Sequence, residues 1–238
     1  MSASAIWVYL AASPLLGLTL TLLAYLGASA VHQRCGGHPL ANPVLLAVAT
    51  LVGLLWLTDT PYRTYFDGAQ FVHFLLGPAT VALAIPLHAQ LPRLRRMALP
   101  LLLALLIGSL TAALSAVAIG ALLGASRATL LSLAPKSVTT PIAMGIAERI
   151  GGLPSLTAVL VILTGVLGAI LARYIYRALH IDDDAQRGFA LGIAAHGIGT
   201  ARAFQESEQM GAFAALAMGL NGLLTAVLLP LLLPLLLA

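Results

Sequence analysis

Between two prolines, Pro135 and Pro141, the chain reads Lys136-Ser137-Val138-Thr139-Thr140. A cation and three hydroxyls at this spacing can donate several hydrogen bonds into one small volume. A helix starting after Pro141 would add its unbonded first-turn amides at the same spot. Such a donor set suits a carboxylate. Burying an unpaired ammonium in apolar surroundings costs several kcal/mol, so a lysine kept between two helix breakers calls for a use. A plainer role also fits: Lys136 snorkels to lipid headgroups while the prolines cap a helix, and the hydroxyls bond their own backbone.

A second polar group reads His196-Gly197-Ile198-Gly199-Thr200-Ala201-Arg202. At helical spacing His196, Thr200 and Ala203 share a face, with Arg202 beside them, so a histidine and a hydroxyl could line one cavity wall. His196 titrates near neutral pH and is a candidate carrier of a coupling proton, whereas Arg202 offers a bidentate fork to a carboxylate. The bland alternatives are a histidine bonded between packed helices and an arginine at the membrane surface. Glu148 and Glu206 close the two segments, either as proton-coupling carboxylates or as solvated interface charges. Asn221, the amide of the last apolar run, either contributes to substrate binding or joins helices. Asp182, Asp183 and Asp184 form a solvated acid run. No nucleophile and base pair, metal-ligand spacing or phosphate loop occurs, which argues against an enzyme, a cofactor or a metal.

The elements that must position these groups follow from composition. Hydrophobic residues make up 60% of the 238 and charged residues 8%, about a third of the charge that a soluble surface carries. The expectation is an all-α polytopic membrane protein, in contact with lipid over most of its surface. The net charge of +4 is spread over short loops, a pattern that suits the cytoplasmic face of a bilayer and not nucleic acid. The single cysteine, Cys35, excludes an internal disulfide.

Charge-free runs at 1–33, 35–58, 68–92, 97–126, 150–172 and 209–238 predict six full transmembrane helices, each near the roughly 20 residues that a bilayer core needs. The first has no positive n-region and is read as a span, not a cleaved signal. Two further segments, 128–149 and 188–208, are apolar but interrupted by Gly, Pro and ionisable residues. They predict interrupted or re-entrant helices, with eight crossings as the alternative. Arginine in Arg93, Arg95 and Arg96 places that loop in the cytoplasm, and Arg173, Arg177 and Arg187 share its side only if 128–149 dips in and returns.

Internal similarity points the same way. Leu76 to Leu114 aligns with Leu133 to Leu171, bringing Pro78 onto Pro135, and Thr140, Ala143, Glu148 and Gly151 align with Thr200, Ala203, Glu208 and Gly211. Repeats of a broken segment followed by a continuous helix are expected of a transporter whose broken segments bind substrate.

The runs Lys136-Ser137-Val138-Thr139-Thr140-Pro141-Ile142-Ala143-Met144, Ile150-Gly151-Gly152 and His196-Gly197-Ile198-Gly199-Thr200-Ala201 resemble the LrgB/CidB family, as does Leu76-Gly77-Pro78-Ala79-Thr80-Val81-Ala82-Leu83-Ala84-Ile85-Pro86-Leu87. The resemblance covers essentially the whole chain as one LrgB-like domain, 1–238. It departs at His88, where that family often has tyrosine. It implies two rival functions. One is a modulator of murein hydrolase activity and autolysis, antiholin-like, acting with a small LrgA/CidA-type membrane partner. The other is a carrier of glycolate, glycerate, pyruvate or lactate in the bacterial inner membrane. The polar segments favour the carrier, in which Lys136 and Arg202 are the candidate charges. Ser137, Thr139 and Thr140 would recognise substrate oxygens with Thr200 and Asn221 beside them, and His196 would take the proton. A homo-oligomer, a dimer first, is expected.

Overall fold

The computed structural model describes residues 14–37 and 41–236, and every regular element among them is helical. They fall into two compact units, Met1–Ala82 and Leu83–Ala238.

The first unit holds α1 (Pro14–Arg34), α2 (Pro43–Leu57), α3 (Tyr62–Phe74) and α4 (Leu76–Ala82), with α1 packed on α2 and α3. Asn42 starts α2 by accepting from the amides of Val44 at 2.9 Å and Leu45 at 3.2 Å. Pro43 takes the first helical position, where a missing N–H costs nothing. Between α1 and α3, the hydroxyls of Thr21 and Tyr65 bond at 2.7 Å.

The second unit contains α5 (Ala84–Ala89), α6 (Leu91–Arg96), α7 (Ala98–Leu122), α8 (Arg127–Leu133), α9 (Thr140–Ile150), α10 (Pro154–Ala178), α11 (Asp184–Glu206) and α12 (Glu208–Leu236).

Four helices among the described residues are long and apolar enough to cross a bilayer: Leu15–Arg34, Ala98–Leu122, Pro154–Ala178 and Glu208–Leu233. A fifth exists only if Tyr62–Val72 and Gly77–Ala89 count as one bent span. Six full spans are thus not shown among the described residues. Run 35–58 yields the 15-residue α2, about 22 Å long against a hydrocarbon core of about 30 Å. Run 68–92 breaks at residues 75, 83 and 90 into short helices. Pro78, Pro86 and Pro92 each stand in the first turn of the next piece, where the lost donor is tolerated but an unbroken helix is not. Of run 1–33, residues 1–13 lie outside the described residues, as do 237–238 of the last run.

Both interrupted segments go out and come back. At the end of α8 the Ser132 hydroxyl accepts from the Leu153 amide at 2.8 Å, and Thr157 donates to the Ser132 carbonyl at 3.1 Å. The chain therefore leaves at Ser132, makes the irregular stretch 134–139, and returns through α9 to its starting point. Gly152 makes the return possible, because a Cβ there would lie 3.0 Å from the Ser132 nitrogen.

The second reversal is hidden inside α11, at His196 (φ 40°, ψ −132°). Along an unbroken helix Arg187 and Glu206 would stand about 28 Å apart. Here they form an ion pair at 3.5 Å. Arm 184–195 thus runs to a tip at His196, and arm 197–206 runs back beside it. Each arm is about 15–18 Å long, half a bilayer.

The long helix after each reversal closes the unit. A Cβ on Gly188 or Gly192 would come within 2.1 Å and 2.2 Å of the Met210 and Ala214 carbonyl oxygens. First arm and α12 therefore touch backbone to backbone, as small residues allow in apolar surroundings. Apolar clusters fill the remaining seams, with Val117, Leu131, Val138, Val161 and Leu229 around the first reversal and Leu191, Ala195, Ala203, Met210 and Ala214 around the second.

Arg93 of α6 pairs with Asp183, the residue that starts α11. That contact brings the beginning of α7 and the end of α10 to one end of the unit. Arg93, Arg95, Arg96, Arg173, Arg177, Arg187 and Arg202 gather there, whereas Arg127, Glu148 and Arg149 mark the opposite end.

Candidate functional site

A helix that stops at membrane depth leaves amides and carbonyls unpaired, and in hydrocarbon each needs a protein partner. The two breaks in this unit share one partner. Asn221, near the middle of α12 and 1% exposed, donates through Nδ2 to the Ser137 carbonyl at 3.2 Å and to the Ile193 carbonyl at 3.2 Å. Its Oδ1 accepts from Thr225 at 3.4 Å, and the Thr225 hydroxyl meets that of Ser109 on α7 at 3.3 Å. A buried polar thread thus runs from α7 through α12 to both reversals.

At the first reversal, Lys136 is half-buried and its Nζ donates to the Ser137 hydroxyl at 3.4 Å. Thr139 stands at the N-cap of α9 with extended backbone, yet its side chain makes no capping bond. Pro141 adds none, having no N–H. The positive end of α9 thus opens on Thr139 and Thr140, a few residues after Lys136 in the chain.

At the second reversal, His196 is 4% exposed and donates through Nε2 to the Val161 carbonyl of α10 at 3.0 Å. That bond fixes the tautomer and leaves Nδ1 as the nitrogen able to take up a proton. The ring lies against Gly165, whose absent Cβ would fall 2.8 Å from Cε1. The positive φ of a non-glycine residue costs about 1–3 kcal/mol and persists only where packing imposes it. Thr200, 4% exposed, turns its hydroxyl back to the His196 carbonyl at 2.9 Å. The shared donor Asn221 brings residue 137 of the first reversal next to residue 193 of the second. An apolar cavity of about 370 Å³ between α7 and the first arm reaches Ile193 and Ala194, beside this tip.

The Asn221 amide thus joins the first reversal, which carries Lys136, Ser137, Thr139 and Thr140, to the second, which carries His196 and Thr200, while the remaining three residues lie elsewhere. Arg202 donates to Glu206 at 3.1 Å and to Gln205 at 3.2 Å, at the foot of its hairpin. Glu206 also pairs with Arg187. Glu148 is exposed at the far end of α9. The shared helical face expected of His196, Thr200 and Ala203 is used for packing, with Ala203 fully buried. Thr225 and Ser109 escape sequence reasoning. Each is a small hydroxyl in a long apolar run, a signal too faint to separate from ordinary helix filling.

Outside the membrane-embedded segments, the fold perturbs the carboxyl of Asp183. Partial burial pushes its carboxyl up. The amides of Gln186 and Ala185 and the Arg93 guanidinium outweigh that effect and hold it below the ordinary carboxylate range.

The model of the LrgB-like family matches residues 21–235. An uncharacterized protein of Bacillus subtilis, YwbG, is 42% identical over 219 residues, covering 92% of this chain and 97% of that protein. A second from the same organism, YxaC, is 34% identical, covering 87% and 90%. A Bacillus cereus protein named antiholin-like protein LrgB is 29% identical over 93% of this chain and 96% of its own length. No solved structure matches.

Proposed function

This chain belongs to the LrgB-like family, and we propose that it is a bacterial cytoplasmic-membrane protein that binds a small monocarboxylate between two re-entrant tips and carries it across the bilayer. The observation that carries this reading is the convergence of Ser137 and Ile193 on the single amide of Asn221. It supports a site at which the first turn of α9 and the start of arm 197–206 lie near one depth, with their positive ends and Lys136 facing the substrate and the C-terminal end of arm 184–195 beside them. Broken helices whose N-termini face one midplane site are how carriers hold anionic substrates. Lys136, Ser137, Thr139 and Thr140 take the carboxylate and its neighbouring oxygen, of the glycolate, glycerate, lactate or pyruvate type. His196, with Nδ1 free, carries the coupling proton, and Glu148 and Glu206 belong to the two ends. The out-and-back segments are entered from opposite faces and, with the long helix after each, form an inverted pair. The arginine-rich end faces the cytoplasm.

A second reading is favoured by the names that relatives bear. Antiholin-like protein LrgB, at 29% identity, supports a role in restraining lysis beside a small membrane partner, and supports it more directly than any relative supports transport. Neither reading involves catalysis.

Purified protein in liposomes, given each labelled monocarboxylate, separates the two. Transport requires saturable uptake, and Lys136→Ala and His196→Ala should lower it about 10–100-fold, the cost of a lost charged hydrogen bond. Uptake by both variants at the wild-type rate would remove the site. No flux in liposomes, together with altered lysis when the protein is expressed in cells, would leave the antiholin-like reading standing.

A further inference from the structure

Between α7 and the first arm of α11 runs a slot of about 370 Å³. Pro100, Ala104, Gly108 and Ala112 form one wall at a spacing of four residues, and Ala190 and Ala194 form the other. Leu101, Phe189 and Ile193, all buried, make the floor. Large side chains thus lie beneath the slot and small ones beside it, so it opens outward, with Ala104, Ala190 and Ala194 exposed. From Pro100 to Ala112 it follows about 18 Å of helix, close to the roughly 15 Å of hydrocarbon in one leaflet.

The polar end of the slot is the arginine-rich end. Gln186 lines it, with its backbone amide bonded to the Asp183 carboxylate at 3.0 Å, and Asp183 pairs with Arg93. The Met97 amide donates to the Arg93 carbonyl at 3.0 Å, and the Leu101 amide to the Met97 carbonyl at 2.9 Å. Helical register therefore continues from α6 into α7. It puts Arg93 one turn before Met97 and Arg96 one turn before Pro100, on the face that lines the slot. Asp183 is engaged by Arg93, whereas Arg96 is exposed and has no acidic partner among the described residues. An apolar slot one leaflet deep, with an unneutralised guanidinium at its headgroup end, matches an acyl chain that carries a phosphate. Small residues also admit a neighbouring helix, but an apolar helix brings no anion to Arg96.

We propose that this slot holds one acyl chain of an anionic phospholipid from the arginine-rich leaflet, its phosphate accepting from Arg96 and the Gln186 side chain. The lipid covers the outward side of the first arm as far as Ala194, two residues short of the tip at His196. It supports that arm from outside as α12 does from within, whatever the tips bind.

The test is native mass spectrometry of the full-length protein released from micelles doped with phosphatidylglycerol or phosphatidylcholine. Wild type should retain phosphatidylglycerol preferentially. Arg96→Gln should weaken that retention about fivefold, which is about 1 kcal/mol at tenfold per 1.4 kcal/mol. Ala104→Leu with Ala190→Leu fills the slot from two exposed positions, displacing the chain and no protein atom, and should weaken retention at least as much. Arg177→Gln with Ala118→Leu, a cation at the same end and an exposed alanine of α7 outside the slot, should leave it unchanged. Equal retention of the two lipids by wild type, a measurement that needs no variant, would overturn the proposal. So would wild-type retention by either slot variant, or equal loss in the control. Dissociation of an oligomer into monomers by the leucine pair would assign the slot to a second copy of this chain and overturn the lipid.

Discussion

Asn221 and Ser137, 84 residues apart, meet at 3.2 Å in the middle of the second unit. The same amide holds Ile193, so one side chain on α12 fixes both places where the backbone abandons its helical bonds. A reversal at depth survives only if its freed carbonyls have donors.

Replacing that donor should loosen both tips together. Asn221→Ala removes three buried hydrogen bonds, the two donated to the Ser137 and Ile193 carbonyls and the one accepted from Thr225, at about 1 kcal/mol each, and should lower the thermal unfolding midpoint of the detergent-solubilised protein. Thr225→Val, which removes only the bond to Asn221 Oδ1 and the contact with Ser109, should cost less than half as much. Equal effects would mean that the tips do not depend on Asn221.

Glycines in the second unit should divide by what stands opposite them. A Cβ on Gly188 would meet the Met210 carbonyl at 2.1 Å, whereas nothing lies within 4 Å of one on Gly219. Gly188→Ala should abolish a monodisperse size-exclusion peak. Gly219→Ala should be neutral or stabilise by about 0.5–1 kcal/mol, the helix-propensity gain. Equivalent behaviour of the two variants would contradict the close packing of the first arm on α12.

Labelling from either side of the membrane tests the first reversal. In a Cys35→Ser background, cysteines at Arg127 and Glu148, both exposed, should react with an impermeant maleimide from the same side. Cysteines at Arg95 and Asp182 should react from the other. Opposite sidedness of 127 and 148 would mean that the segment crosses.

Acid should weaken the contact that joins α6 to α11. The carboxyl of Asp183 is held below its ordinary value, so its ionised form is favoured more in the folded chain than in the unfolded one. Its contribution is complete above the unfolded value, about 4, and is lost as pH falls through the lower folded value. Asp183→Asn can still cap α11 but cannot ionise. With both partners about a third exposed, it should cost no more than about 1 kcal/mol at neutral pH. The difference in unfolding midpoint between wild type and variant should shrink from pH 7 towards pH 3, and a difference independent of pH would assign the effect to the cap alone.

The sequence by itself determined the class of molecule, because a chain with 8% charged residues cannot cover a water-facing surface. It also located the two interruptions, because Pro135, Pro141 and the glycines around His196 act on the backbone next to them. It did not reveal the breaks where prolines divide run 68–92, since hydropathy adds up along the chain whether or not the helix is continuous. Only the tertiary structure decided where the chain goes after each interruption. A break at His196 reads the same in sequence whether the helix bends or doubles back, and the outcome rests on the Val161 carbonyl, the glycine-backed seam with α12 and the Arg187–Glu206 pair. For the same reason Arg202 faces Glu206 and not the tip, and Asn221, one amide in an apolar run, is the residue on which both reversals close.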